Sequence, residues 1–223
     1  MRVLRGVFKM STELDLEPVR QDDVATISAS RPAASAEPHR AVFLDRDGTL
    51  IEDVHFLCDP AQIRLLPGAA SALLRLKSAG FRCVLVTNQS AVGRGMITET
   101  RLEEIHAEMS RILAAEAALL DGIYYCPDAP SKEGFPVLAS GDRKPAPGML
   151  LRAAVDLGLD LETSWMVGDK ITDVQAGLNA GCRSILLASD KEDLSSSEAR
   201  SLASRYLLAP DLAAAAELIL KHL

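Results

Sequence analysis

From residue 41 onward, short apolar runs alternate with longer segments whose apolar positions recur at helical spacing. Residues 41–44 are the first such run. Four apolar side chains in a row stop abruptly at Asp45, as in a strand buried on both faces. Pro67 opens a helical stretch to Lys77, and Gly80 ends it. Residues 82–86 read as a second strand. Thr98 or Thr100 stands where it can cap a long amphipathic helix reaching to about Leu120. A third strand falls at 122–125. Pro147 then starts a helix to Leu157, with Gly158 as its stop. Residues 164–167 read as a fourth strand, 171–180 as a helix and 184–187 as a fifth strand. Residues 205–208 are a candidate sixth, and Asp211 caps a final helix to Leu220.

Strands alternating with helices predict an α/β fold with a parallel sheet covered on both faces. Right-handed crossovers make it a three-layer, doubly wound, Rossmann-like sheet. In such sheets ligands bind beyond the carboxyl ends of the strands, near the point where strand order reverses. Residues 1–39 differ from the rest. The stretch 26–38 is rich in Ala, Ser and Pro and cannot build a packed face. The expected organisation is a flexible leader over 1–39 and one domain over 40–223, with Met10 a second candidate for the start.

Composition narrows the classes. The apolar fraction of 48% suits a substantial core, and the net charge of -7 gives no basic surface for nucleic acid. There is no basic run for an anionic membrane and no apolar stretch of spanning length. Cys58, Cys83, Cys126 and Cys182 are scattered, with no CxxC pair, which predicts reduced thiols in a cytoplasmic protein.

The candidate chemistry sits where topology predicts it. Asp45-Arg46-Asp47-Gly48-Thr49 follows the first strand. One of its two carboxylates can act as nucleophile, the other as general acid and then base. Together they attract a hard divalent cation, and phosphate chemistry favours magnesium. Alone, such a DxD is more often a solvated turn. Thr87-Asn88-Gln89-Ser90 follows the second strand. Its hydroxyl and backbone N–H groups suit phosphoryl oxygens, and Asn88 and Gln89 are candidate substrate contacts. Gly93-Arg94-Gly95 then carries a guanidinium suited to a further anionic group. Lys144, just before a helix, can neutralise a transferring phosphoryl group, and the adjacent Arg143 suits the distal substrate anion. After the fourth strand comes Gly168-Asp169-Lys170-Ile171-Thr172-Asp173. Asp169 is placed to complete the metal site, although it can equally cap the next helix. Asp173, one turn on, can orient the metal-binding groups rather than bind metal itself.

Each cluster is weak alone. All four at one sheet edge, in this order, resemble the haloacid dehalogenase (HAD) superfamily of phosphotransferases. The runs DRDGTLIED, TNQSAVGRG, YYCP, RKPAPGM and VGDKITDVQAG resemble, more narrowly, the D-glycero-D-manno-heptose 1,7-bisphosphate phosphatase family, with histidinol-phosphate phosphatases as close relatives. The resemblance covers residues 41 to the last helix. It implies a HAD-like fold without a large cap domain and removal of the 7-phosphate from a heptose bisphosphate on a route to surface glycans. It makes Asp45 the nucleophile and Asp47 the acid/base. Magnesium would sit on Asp45, Asp169 and the backbone carbonyl of Asp47, with Thr87 and Lys144 holding the phosphoryl group. The implied partner is a small phosphorylated sugar, with no nucleic acid and no membrane, and the expected state is a monomer.

One departure stands out. Many members of that family carry zinc on Cys-x-His and a later Cys-x-Cys. Here Cys126 remains, but Asp128, Ser140 and Asp142 occupy the other positions. One thiolate with oxygens is not a structural zinc site. No zinc is expected, and the 127–142 loop must be held by packing, with Phe135 and Val137 as candidates. Two alternatives stay open: a histidinol-phosphate or broad sugar-phosphate phosphatase, and an inactive phosphate-binding protein on the same scaffold.

Overall fold

The structure is a computed structural model that describes residues 38–129, 141–189, 192 and 194–223. Residues 1–37, Met10 among them, and Phe135, Val137 and Ser140 lie outside the described residues. Six strands form one parallel sheet: β1 (His39–Leu44), β2 (Arg82–Asn88), β3 (Gly122–Cys126), β4 (Leu159–Gly168), β5 (Arg183–Leu187) and β6 (Leu207–Ala209). The helices are α1 (Ala69–Ser78), α2 (Ser90–Gly93), α3 (Glu99–Ala115), α4 (Gly148–Leu157), α5 (Ile171–Ala180), α6 (Ser197–Leu202) and α7 (Leu212–Lys221). No further element among the described residues forms a cap domain.

The strand period of two sorts the core into layers. Val42 and Leu44 of β1 point into a cluster with α1, α3 and α7, which supply Leu73, Met109 and Ile219. Ala41 and Phe43 point the other way, onto Met149 and Ala153 of α4 and Ala176 of α5. These four of the six β1 side chains are fully buried. That explains why the strand reads as an unbroken apolar run, and at about 1.5–3 kcal/mol per large side chain it anchors the sheet centre.

Strand order is β3-β2-β1-β4-β5-β6. The chain winds outward through β2 and β3, then crosses back to lay β4 on the other side of β1. The reversal therefore falls between β1 and β4, and a crevice opens at their carboxyl ends. Asp45 and Asp169 are the first residues past those two ends.

Boundaries differ from the pattern in instructive places. β4 starts five residues early, because Leu159 and Asp160 pair with His39 and Arg40 before a register shift. Ser164 bridges that irregularity by accepting a hydrogen bond from the Ala41 N–H at 2.8 Å. Asp160, Glu162 and Thr163 interrupt the apolar pattern and hide this part of the strand. His39 is thus the first residue of β1. Pro67 lies outside α1, which starts at Ala69 after Gly68 in a left-handed turn. Helix α3 stops at Ala115, where Ala117 turns to φ 58°, and not at Leu120. Thr98 is its cap, accepting from the Arg101 N–H at 3.1 Å.

Candidate active site

The site is built from four strand ends. Asp45 leaves β1 with its N–H bonded to the Val167 carbonyl at 3.0 Å, which locks the end of β1 to β4. Its carboxylate receives Lys144 Nζ at 2.7 Å. The same ammonium lies 2.6 Å from Asp173 Oδ1 and donates to the Val86 carbonyl at 2.8 Å. Three bonds use all three protons of a lysine that is 4% exposed. Asp173 sits in the first turn of α5, and its other oxygen accepts the Lys170 N–H at 3.1 Å. The helix cap is therefore Lys170, so Asp169 does not cap α5. Asp169 is left with its carboxylate in the crevice, 3.3 Å from Lys170 Nζ.

Carboxylate oxygens of Asp45, Asp169 and Asp173 lie within 4.8 Å of one another. Three buried anions face one buried ammonium and the half-exposed Lys170. Burial pushes Asp169 up to about 7, with Asp45 and Asp173 adding to the rise against the pull of Lys170. Burial raises Asp173 as well, despite Lys144. Burial also acts on Asp45, but Lys144 and Lys170 outweigh it and hold the carboxyl below its ordinary range. Lys144 is the converse: burial works against its charge, while Asp173 and Asp45 keep it firmly protonated. The excess negative charge and the all-oxygen donor set fit a hard divalent cation.

Gly48 makes room for this cluster. It sits at φ +80°, and a Cβ there would lie 2.7 Å from Asp169 Cγ. Only glycine allows both the turn and the close approach.

Asp47 points to another set of partners. Arg46 grips it with Nη2 at 3.0 Å from Oδ2 and Nε at 3.2 Å from Oδ1. Gln89 Nε2 donates to Asp47 Oδ2 at 3.0 Å and to Thr87 Oγ1 at 2.9 Å, and Gln89 Oε1 accepts from Arg46 at 2.8 Å. Thr87 and Gln89 are both buried. Asn88 spends its side chain on the Lys144 backbone, donating to its carbonyl at 3.1 Å and accepting its N–H at 3.0 Å. It clamps the lysine loop to β2. Gln89, like Asn88, has its polar atoms engaged inside the protein.

In front of these residues a cleft of about 370 Å³ is lined by Asp47, Asn88, Gln89, Arg143 and Lys144, with Asp53, His55, Phe56 and Lys170 on its walls. Arg143 donates to the Asp128 carbonyl at 2.5 Å, which ties it to the segment after β3. Arg94 is exposed and stacks over the Phe56 ring at 5.5 Å. It stands at the rim and is absent from the cleft lining. The α2 segment is fastened to the same region: Gln89 N–H bonds to Cys126 O at 2.7 Å and Gly93 N–H to Pro127 O at 2.9 Å.

The structure thus brings Asp45, Asp47, Thr87, Asn88, Gln89, Arg143, Lys144, Asp169 and Asp173 to one edge. Sequence reasoning missed Arg46, His106, Lys170 and the Asp53–Phe56 wall. Arg46 and Lys170 were visible inside the motifs themselves. His106 had a fainter signal, as the one polar side chain among the buried positions of α3, beside Leu102, Ile105, Met109 and Leu113.

Known proteins supply the comparison. The family model described as "HAD-hyrolase-like" matches residues 142–215. D-glycero-D-manno-heptose-1,7-bisphosphate 7-phosphatase of Thermosynechococcus vestitus is 42% identical over 193 residues, 83% of this chain and 98% of that protein. D-glycero-beta-D-manno-heptose-1,7-bisphosphate 7-phosphatase of Escherichia coli K12 is 44% identical over 142 residues, 63% of this chain and 74% of that one. The solved structure of D,D-heptose 1,7-bisphosphate phosphatase from B. bronchiseptica, complexed with magnesium and phosphate, superposes with a TM-score of 0.68 at 33% identity, covering 82% of this chain and 99% of that chain.

Proposed function

The chain belongs to the D-glycero-D-manno-heptose-1,7-bisphosphate 7-phosphatase family of HAD-like phosphatases, and we propose that it removes the 7-phosphate of such a heptose through an aspartyl phosphate on Asp45. The observation that carries this reading is the ion-paired Asp45 beside Asp169 and Asp173 at the strand-order reversal. A buried carboxylate kept ionised at a crevice is a nucleophile in waiting.

In the first step Asp45 attacks phosphorus, the bond from phosphorus to the sugar oxygen breaks, and Asp47 gives that oxygen its proton. In the second, water attacks the aspartyl phosphate and passes a proton to Asp47. The bond from Asp45 to phosphorus then breaks and inorganic phosphate leaves. The Thr87 hydroxyl holds a phosphoryl oxygen, and the Lys144 ammonium takes another with the proton it gives to Asp45 in the free site, while Asp173 keeps Lys144 in place. Asn88 and Gln89 shape the substrate wall of the cleft and hold Lys144 and Asp47 for it. Asp45, Asp169 and the backbone carbonyl of Asp47 would hold magnesium, which when bound offsets charge on the phosphoryl oxygens. The distal phosphate falls to Arg143 in the cleft and Arg94 at its rim.

The loop after β3 needs no zinc in this reading. Cys126 Sγ lies 3.6 Å from Asp128 Oδ2, and Asp142 pairs with Arg152. The bonds from Gln89, Gly93 and Arg143 fasten residues 126–128 where a metal would otherwise do so. None of the four cysteines is in a disulfide, which suits a reducing cytoplasm. Among the described residues no helix is long and apolar enough to cross a membrane.

Phosphate release is the test. With magnesium, heptose 1,7-bisphosphate is turned over faster than histidinol phosphate or simple sugar phosphates. Asp45→Asn lowers turnover by at least about 10³-fold with the fold intact. Near-normal turnover by that variant rules the mechanism out, and metal analysis of the purified chain finds no stoichiometric zinc.

A further inference from the structure

The Arg46 guanidinium is 1% exposed, yet it lies next to the cleft and not in the apolar core clusters. Its three nitrogens reach three residues. Two of these, Asp47 and Gln89, belong to the site. The third is His106, which lies on α3, a helix that supplies none of the site residues above. Arg46 Nη1 donates to His106 Nε2 at 3.3 Å. A guanidinium has no lone pair to offer, so Nε2 is the acceptor and the ring proton sits on Nδ1. His106 is 5% exposed, and its ring tilts against Tyr125 at 5.7 Å. Burial and the neighbouring Arg46 charge press it down to about 3, so it stays a neutral acceptor under assay conditions.

Without His106, the guanidinium is pulled toward Asp47 and Gln89 and nothing sets its other end. His106 is the acceptor on the Nη1 side of the fork, opposite the grip on Asp47, and so resists tilting of the guanidinium about that grip. We propose that His106 is a positioning residue that, through Arg46, fixes the Asp47 carboxyl group where, in its protonated form, it gives its proton to the departing sugar oxygen. This rests on reading Asp47 as the acid/base of the proposed function. The relay is His106 Nε2, Arg46, then Asp47, with Gln89 bracing both Arg46 and Asp47 against Thr87.

The chemistry separates this role from a structural one. A sugar alkoxide is a poor leaving group and needs the proton from Asp47 as the phosphorus–oxygen bond breaks. A nitrophenolate leaves without one. The constant kcat/KM covers steps only through phosphoryl transfer to Asp45, so the later base role of Asp47 does not enter it.

The full-length chain is assayed with magnesium on D-glycero-D-manno-heptose 1,7-bisphosphate and on p-nitrophenyl phosphate. His106→Leu is expected to lose about tenfold to a hundredfold in kcat/KM on the sugar phosphate, with the nitrophenyl ester within about threefold of wild type. His106→Gln, which restores an acceptor, recovers most of the loss. Arg46→Lys keeps the buried charge but not the fork, and is expected to show the same selective loss even if His106→Leu does not fold. Equal losses on both substrates, or no recovery in His106→Gln, overturn the proposal. Wild-type turnover of the sugar phosphate by Asp47→Asn would instead overturn the reading of Asp47 on which it rests.

Discussion

Removing the Lys144 ammonium tests the electrostatic design of the site directly. Its Nζ lies 2.7 Å from Asp45 and 2.6 Å from Asp173, and the three side chains are 2%, 7% and 2% exposed. Salt screens such a group little. Taking one partner from a buried ion pair costs about 3–5 kcal/mol, because the remaining charges lose both their counterion and any access to water. Lys144→Met keeps most of the volume and removes only the charge. In chelator at pH 8, a loss of about 4 kcal/mol at a urea slope of about 2–3 kcal/mol/M lowers the unfolding midpoint by about 1.5 M. Two conditions should shrink the deficit. Lower pH lets Asp173 or Asp169 neutralise by protonation, and magnesium replaces part of the missing positive charge. Equilibrium urea unfolding with and without magnesium, at pH 8 and pH 5.5, measures all three. If the variant matches wild type within about 0.5 kcal/mol in chelator at pH 8, Lys144 does not balance the buried carboxylates.

The metal-free wild type should show the same imbalance as a pH slope. Asp169 is raised to about 7 from 3.8, so its contribution to stability is fully present below about pH 4 and lost as pH rises through 7. At about 1.4 kcal/mol per pH unit that window is worth about 4 kcal/mol. Magnesium should flatten it, and a chelator-treated protein whose stability does not fall between pH 4 and 7 contradicts the cluster. Gly48→Ala should cost about 1–2 kcal/mol for its left-handed turn and should displace Asp169. Calorimetric titration is then expected to show magnesium affinity falling by more than the stability loss explains, whereas unchanged affinity would show that Asp169 has moved without consequence for the ion.

How much of this was legible in the chain depended on whether a residue's role was local. β1 announced itself because 41–44 are buried on both faces of a parallel sheet, and only unbroken apolar residues satisfy that. Asp45, Asp169 and Asp173 were readable because each stands at a fixed offset from a strand end, so topology alone brings them together. Gly158 as a helix stop and Asp211 as a cap were equally local, the latter accepting the Ala214 N–H at 2.8 Å. Asn88 shows the opposite case. Its position in the motif implied substrate, while its amide is bonded to a loop 56 residues away. Pairing across the sheet likewise extended β4 back to Leu159 and Asp160, ahead of a register shift that no local pattern marks. His106 was hidden for the same reason, since its partner lies 60 residues back.

These contacts explain why the cluster holds three carboxylates and not two. Asp45 alone beside Lys144 would form a neutral pair, with no charge left over to attract a cation. Asp173 changes that balance. By taking the shortest contact with Lys144 and the Lys170 N–H, it anchors the ammonium from the helix side, so that Asp45 shares its counterion. Asp169 then deepens the negative charge that two carboxylates on one ammonium already leave, which a lysine cannot relieve without forming a tight pair of its own. The half-exposed Lys170 reaches Asp169 only at 3.3 Å. The charge that remains is matched by a hard cation that takes oxygen ligands. A site arranged in this way is under strain when empty and relaxed when loaded, and the pH slope of the metal-free protein is that strain made measurable.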